Sequence, residues 1–158
     1  MCRAVNNCLS AEGLITEVLD GDELRLSISQ DLGFTKGDRV EHARRVALMA
    51  RGLERNGVVA LVALISPYRS IRNEARSTCL RFLEVYVNAP VHLCEERDVK
   101  GLYQRARSGE LVHFSGIDDP YEAPENPDVE CKTDLCSIDE CTEQVVTAIW
   151  ARLARETV

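Results

Sequence analysis

Aromatic side chains make up only 5% of this 158-residue sequence, and a single tryptophan is among them. Valine, leucine and alanine supply most of the apolar content instead, which favours an aliphatic α/β interior over an aromatic-rich sandwich. Positive charge is also short. Nineteen Lys and Arg against 26 Asp and Glu leave a net charge of −7, which excludes a general nucleic-acid binder, because such a protein must neutralise many phosphates at once. No apolar run reaches the roughly 18 residues that a membrane-spanning helix needs. The first residues, MCRAVNNCLSAEG, lack the charged-then-apolar order of a signal peptide, so a cytoplasmic address is expected. No zinc spacing is present either: Cys131, Cys136 and Cys141 recur every five residues with no histidine between or close after them, and metal sites are not written that way. The total of seven cysteines is odd, and the chain is long enough to hold a core without disulfides, so the thiols are expected to be reduced. The length fits one domain over residues 1–158.

What is present reads as alternating strands and helices. Residues 14–19, LITEVL, form a β-rich run that stops at Asp20-Gly21-Asp22. In an open α/β sheet ligands collect beyond the carboxyl ends of strands, which makes these aspartates candidates for Mg²⁺ or hydroxyl contact. Asp-Gly is equally ordinary turn chemistry. A helix is signalled over residues 35–56, with Asp38 and Glu41 spaced as a capping box and Val40, Ala43, Ala47 and Ala50 along one face. Arg39 falls in its first turn beside Phe34, and a cation with a ring at one helix mouth suits a nucleotide analogue. Residues 58–65, VVALVALI, are apolar throughout and predict a strand buried on both faces in the middle of a parallel sheet. Ser66-Pro67 then suits the start of a helix, with serine as its cap. Arg69, Arg72 and Arg76 share one face of that helix, more cations than a short solvated helix requires. Residues 82–90 predict another strand, the Pro-rich PYEAPENP a surface loop, residues 129–134 a last strand, and Ser137 with Glu140 the cap of a closing helix with Val145, Ile149 and Leu153 inward. The order is that of βαβ units, a parallel sheet with helices on both faces.

The densest stretch is residues 94–118, CEERDVKGLYQRARSGELVHFSGID. Arg97, Lys100, Arg105 and Arg107 supply cations, Gly101 and Gly109 supply hinges, and Phe114 precedes a Ser-Gly turn. A mobile lid over an anionic, base-bearing ligand has this make-up. A solvated basic helix followed by a turn fits the composition as well.

The runs RDVKGLY, RARSGE, FSGIDDPYE and PENP, together with LDGDELR and LGF, resemble the adenylylsulfate kinases over about residues 12–150. The resemblance implies a P-loop-kinase-like α/β fold of three layers, a lid over about residues 97–118, and transfer of the ATP γ-phosphoryl group, with Mg²⁺, to the 3′-hydroxyl of adenosine 5′-phosphosulfate. By position it implies that Asp20 and Asp22 stand near the reacting hydroxyl, with Asp20 at the metal. Arg25 and Arg39 correspond to phosphosulfate-binding arginines, Phe34 and Phe114 to rings that clamp the adenine, Ser66 to the I-S-P serine and Lys100 to the lid lysine. Arg97 belongs on the ATP side. His42 stands where the family usually has asparagine in its substrate site, and imidazole replaces one amide hydrogen bond but not two together. A homodimer or a sulfurylase partner is the implied assembly.

One departure from the family is large. The phosphate cradle GxxxxGK[ST], whose backbone N–H groups, lysine and hydroxyl hold the nucleotide phosphates and Mg²⁺, does not occur in these 158 residues. Only residues 1–19 precede the DGD, and residues 1–12 resemble the frayed end of the helix that would follow the cradle. The expectation is therefore an N-terminally truncated kinase with impaired activity and an open sheet edge where a first strand belonged. The alternative is a non-catalytic remnant that binds adenylylsulfate or a partner subunit.

Overall fold

A computed structural model describes residues 1–154; the last four residues of the expected 1–158 unit lie outside the described residues. The chain opens with helix α1 (Cys2–Ala11), strand β1 (Thr16–Asp20) and the short helix α2 (Gly21–Arg25), and continues with α3 (Lys36–Arg55) and β2 (Val59–Ala63). Next come α4 (Arg69–Thr78), β3 (Val85–Asn88), α5 (Val91–Glu96) and α6 (Leu102–Arg107), and the chain closes with β4 (Val129–Lys132) and α7 (Ile138–Ala154). β1 pairs with β2 in parallel from Thr16↔Val59 to Asp20↔Ala63, and β3 pairs with β4 in parallel from Val85↔Val129 to Asn88↔Lys132.

Alternation along the strands puts helices on both faces. Val18, Val59 and Leu61 turn to a core shared with Val5 and Leu9 of α1 and with Val145 and Ile149 of α7. Their neighbours Leu19 and Ala60 turn the other way, onto Val46 and Ala50 of α3, as the two-residue period of a strand requires. Val85, Val129 and the buried Cys131 join the first of these cores, so the two ribbons are held by common packing rather than by bonds to each other. α4 completes the α3 side, where Tyr68 and Ile71 meet Ala43.

Three expectations need correction. β2 packs on both faces but does not lie in the middle of a sheet: among the described residues it hydrogen-bonds only to β1, and its Val62 is 39% exposed. The capping box of α3 is Thr35 with Asp38, not Asp38 with Glu41. Glu41 is drawn off by Arg44 and Arg45, whose guanidiniums reach it at 2.7 and 2.9 Å and hold its carboxyl down at about 2. Ser66 does not cap α4, which starts three residues later with Tyr68 at its N-cap and no cap bond from that side chain. The first amide of α4, Arg69 N–H, donates instead to the Glu122 carboxylate at 2.7 Å, from 53 residues away. The Ser137–Glu140 box at α7 stands as expected, with bonds of 2.8, 2.9 and 3.2 Å.

The surplus arginines of α4 serve a partly buried relay. Glu84, beside β3, accepts from Arg72 at 2.7 Å and from Arg76 at 3.2 Å. Asp128, beside β4, accepts from Arg76 at 3.2 Å and from Arg152 of α7 at 2.6 Å. All seven cysteines are free thiols; Cys131 sits in the core, where burial and the adjacent Cys141 push its thiol up to about 11.

Leu9 has no exposed surface and joins α1 to both ribbons. Leu9→Ala is expected to cost about 2 to 5 kcal/mol in urea unfolding, while Leu26→Ala, at a side chain 82% exposed, should stay within about 0.5 kcal/mol. Equal losses at the two positions would show that the shared core is not what holds the ribbons.

Candidate functional site

The carboxyl end of β1 leads straight into the turn that the sequence singled out. Asp20 is the N-cap of α2, and its Oδ1 accepts the Asp22 N–H at 2.9 Å. Gly21 between them is buried against the end of β2: a Cβ there would lie 2.4 Å from Leu64 Cδ2 and 3.1 Å from the Ala63 carbonyl oxygen. Only glycine fits so close an approach. The turn and the candidate site are thus the same feature, a helix cap that holds both carboxylates at a strand end.

Asp22 receives the lid. Lys100 Nζ lies 2.7 Å from Asp22 Oδ2, across 78 residues of sequence, and this bond raises the lysine pKa. Both side chains are mostly exposed, so solvent screens the pair and it adds little stability. It acts as a weak latch.

A second contact with the lid is built on Arg39. Its Nε donates to the Phe34 carbonyl at 3.1 Å, and its Nη2 donates to the His113 carbonyl at 2.6 Å, next to Phe114. Arg25 comes to the same ring: its Nη1 donates to the Gly33 carbonyl at 2.7 Å, and its Cζ stands 4.5 Å from the Phe34 centroid, with Arg39 Cζ at 5.6 Å. Burial first, and then the charge of Arg39, lower the pKa of Arg25. Two cations on one exposed ring, the charge of one lowering the basicity of the other, make this corner locally positive, which an anion relieves.

Phe114 is fixed from its own side. The Asp118 carboxylate accepts the N–H groups of His113 and Phe114 at 2.7 Å each, with His113 held at φ +62°. The Phe114 ring meets Tyr103 edge-on at 5.0 Å and 73°. Burial and the neighbouring Cys94 push the Tyr103 hydroxyl up to about 12.

The other expected residues fall in different surroundings. His42 is 3% exposed; its Nδ1 bonds the Ser29 hydroxyl at 2.9 Å, while Nε2 has no partner and lies under Gly21. It supports the aspartate turn from beneath instead of opening onto a ligand. Ser66 follows β2 with a left-handed backbone, φ +40°. Arg97 turns away from the Phe34 cluster and donates to Thr133 Oγ1 at 3.1 Å and the Thr133 carbonyl at 2.8 Å, beyond β4. Tyr103, Asp118 and Arg72 carried no site signal in the sequence beyond the R-x-x-R spacing of α4. Among the described residues no group of three or more His, Cys, Asp or Glu is placed to hold a metal ion.

Parallel strands, helices on both faces, and carboxylates at a strand end met by a lysine from a distant cationic segment are features of a P-loop-kinase-like α/β domain. The adenylylsulphate kinase family model matches residues 1–132. An adenylyl-sulfate kinase of Rippkaea orientalis is 53% identical over 150 residues, 95% of this chain and 81% of that protein, and one of Microcystis aeruginosa is 54% identical over 145 residues, 92% and 78% respectively. The solved structure of Mycobacterium tuberculosis APS kinase CysC in complex with AMPPNP and APS superposes with a TM-score of 0.89 at 41% identity, covering 94% of this chain and 87% of that one. This chain belongs to the adenylylsulphate kinase family. No helix among the described residues is long and apolar enough to cross a membrane.

Burial, followed by the charges of Arg25 and Arg45, lowers the pKa of His42. A depressed histidine pKa favours the neutral ring in the folded state, so its stabilisation is complete above the ordinary value of about 6.5 and is lost as pH falls below it. Melting temperatures between pH 7 and pH 5 should show that decline, and His42→Asn should flatten it. An unchanged slope in the variant would clear His42 of the effect.

Proposed function

We propose that residues 1–158 form one cytoplasmic domain that binds adenosine 5′-phosphosulfate as the acceptor of a phosphoryl group from ATP, the product being 3′-phosphoadenylylsulfate. The observation that carries this reading is Arg39, which bonds the backbone on both sides of the candidate cleft, at Phe34 and at His113, while Arg25 shares the Phe34 ring. Arg25 and Arg39 then take the phosphosulfate, an anion that two guanidiniums match in geometry as well as charge. Phe34 and Phe114 take the two faces of the adenine, whose stacking tolerates rotation of the base. Asp22 accepts the proton of the 3′-hydroxyl once Lys100 leaves it for a phosphate oxygen, and Ser66 and Arg97 face the ATP side.

Asp20 fits Mg²⁺ as a single-carboxylate ligand. Such ions are ordinarily held by one or two carboxylates plus phosphate oxygens. Bound there, Mg²⁺ would neutralise charge developing on the transferred group. His42 acts beneath the turn by keeping Gly21 and both aspartates in place.

These 158 residues contain no GxxxxGK[ST], and we read phosphoryl transfer by them alone as impaired while acceptor binding persists. The second reading is a domain that binds adenylylsulfate or a partner subunit, such as a second copy or a sulfurylase, without catalysis.

Calorimetric titration separates the two halves of the proposal. Adenylylsulfate should bind the 158-residue chain without ATP, and ATP with Mg²⁺ should bind weakly or not at all. Arg39→Ala should weaken adenylylsulfate binding by about 2 to 5 kcal/mol and Phe114→Ala by about 1 to 3 kcal/mol. Unaltered binding in both variants would place the acceptor elsewhere.

A further inference from the structure

Arg72 is 9% exposed, yet its guanidinium spends two of its three bonds on backbone carbonyls that no helix or strand requires it to reach. Nη1 donates to the Ser66 carbonyl and Nη2 to the Glu122 carbonyl, at 2.6 Å each, while Nε donates to Glu84 Oε1 at 2.7 Å. Ser66 is the residue held at φ +40°, a conformation that side chains other than glycine rarely adopt and that persists where the surroundings impose it. Glu122 lies just beyond the lid, and it is tied a second time to the same loop: its N–H donates to the Pro67 carbonyl at 2.8 Å, and its carboxylate accepts the Arg69 N–H at 2.7 Å. Tyr68, between those residues, bonds Asp119 at 3.5 Å.

We propose that Arg72 is a positioning residue whose guanidinium imposes the left-handed backbone of Ser66 and couples that turn to the segment that ends the lid. The proposal rests on Ser66 and the lid belonging to the nucleotide site. The chemistry calls for arginine. A planar fork directs three N–H groups at three separate acceptors at once, whereas a lysine ammonium in the same place acts as one point charge on a flexible stem. The ion pair with Glu84 is a different matter: Arg76 also reaches that carboxylate, and the pair joins α4 to β3 at the opposite side from Ser66. Stability and positioning are therefore carried by different bonds of one side chain.

Two variants of the 158-residue chain pull these apart. Arg72→Lys should keep its helical circular dichroism, quicken at least tenfold the exchange of the Glu122 and Arg69 amides, whose bonds tie the loop after Ser66 to the end of the lid, with α7 amides unchanged, and weaken adenylylsulfate binding about tenfold or more. Glu84→Gln should lower the melting temperature and leave both that exchange and the affinity as they were. Normal exchange of the two amides in Arg72→Lys, or an affinity loss in Glu84→Gln equal to that in Arg72→Lys, overturns the proposal. An unfolded Arg72→Lys also counts against it, since it would mark the residue as a structural pair and nothing more. The exchange arm needs no ligand. If exchange responds but neither Arg39→Ala nor Phe114→Ala alters adenylylsulfate binding, the clamp stands and it is the assignment of the nucleotide site that fails.

Discussion

The two parallel ribbons share no backbone hydrogen bonds, so everything above them depends on the aliphatic core below. Leu9 of α1, Leu61 of β2, Cys131 of β4 and Val145 and Ile149 of α7 lie in one buried cluster. Burying a side chain of leucine size contributes about 1.5 to 3 kcal/mol, and several such side chains from four elements outweigh any single polar tie on the surface. The Glu84 and Asp128 relay adds direction more than strength: buried pairs largely offset their own desolvation, but they fix how α4, β3 and α7 sit around that core. The strand ends, and hence Asp20 and Ser66, inherit their positions from this packing.

On that frame the electrostatics are arranged in two zones of opposite character. Around α4 every arginine meets a carboxylate, with Arg69 on Glu125, Arg72 on Glu84 and Arg76 on Glu84 and Asp128. Around Phe34, Arg25 and Arg39 bond carbonyls and lie over a ring, and the first depresses its own pKa in part because of the second. A neutralised zone stabilises a fold, whereas two cations sharing one ring, only partly offset by Asp38 and Asp22, form a zone that an arriving anion would stabilise. The overall charge of −7 makes the local excess more selective, because the remaining surface repels the same ligand.

Much of this was legible in the sequence, and the misses have physical reasons. The strand and helix order followed from local periodicity: β2, β3 and β4 fell inside the expected runs, and β1 ran one residue past its own, to Asp20. β2 was placed wrongly because a continuous apolar stretch looks the same whether a strand has one partner or two. The capping box was misassigned because Thr35-x-x-Asp38 and Asp38-x-x-Glu41 both fit; the threonine hydroxyl decided the matter once Glu41 was taken by two arginines. Ser66 looked like a cap since serine usually is one, and its positive φ depends on a guanidinium six residues on and a carbonyl 50 residues beyond that. Asp22 and Lys100 were each named as site residues, but their contact across 78 residues was not derivable from spacing. His42 could be named from its place in a motif, while its burial beneath Gly21 could not.

The lid illustrates how weak bonds suit a part that has to move. Its ties to the body include Lys100 on Asp22, an exposed ion pair, Arg39 on one carbonyl and, where it begins, Arg97 on Thr133; none carries apolar burial on the scale of the core. Its inner bracing is firmer, with Asp118 holding two consecutive amides and Tyr103 packed on Phe114. A segment braced within itself but loosely attached is built to move as a unit about its ends, and Gly101, Gly109, His113 and Gly116 all take positive φ within it. The firm anchor lies after the lid, at Glu122, where three bonds meet α4 and its leading loop. Opening the latch at Asp22 while that anchor holds would swing Lys100 and Phe114 away from the strand ends and leave Ser66 where it is, so that access to the site and the geometry of its floor are governed by separate interactions.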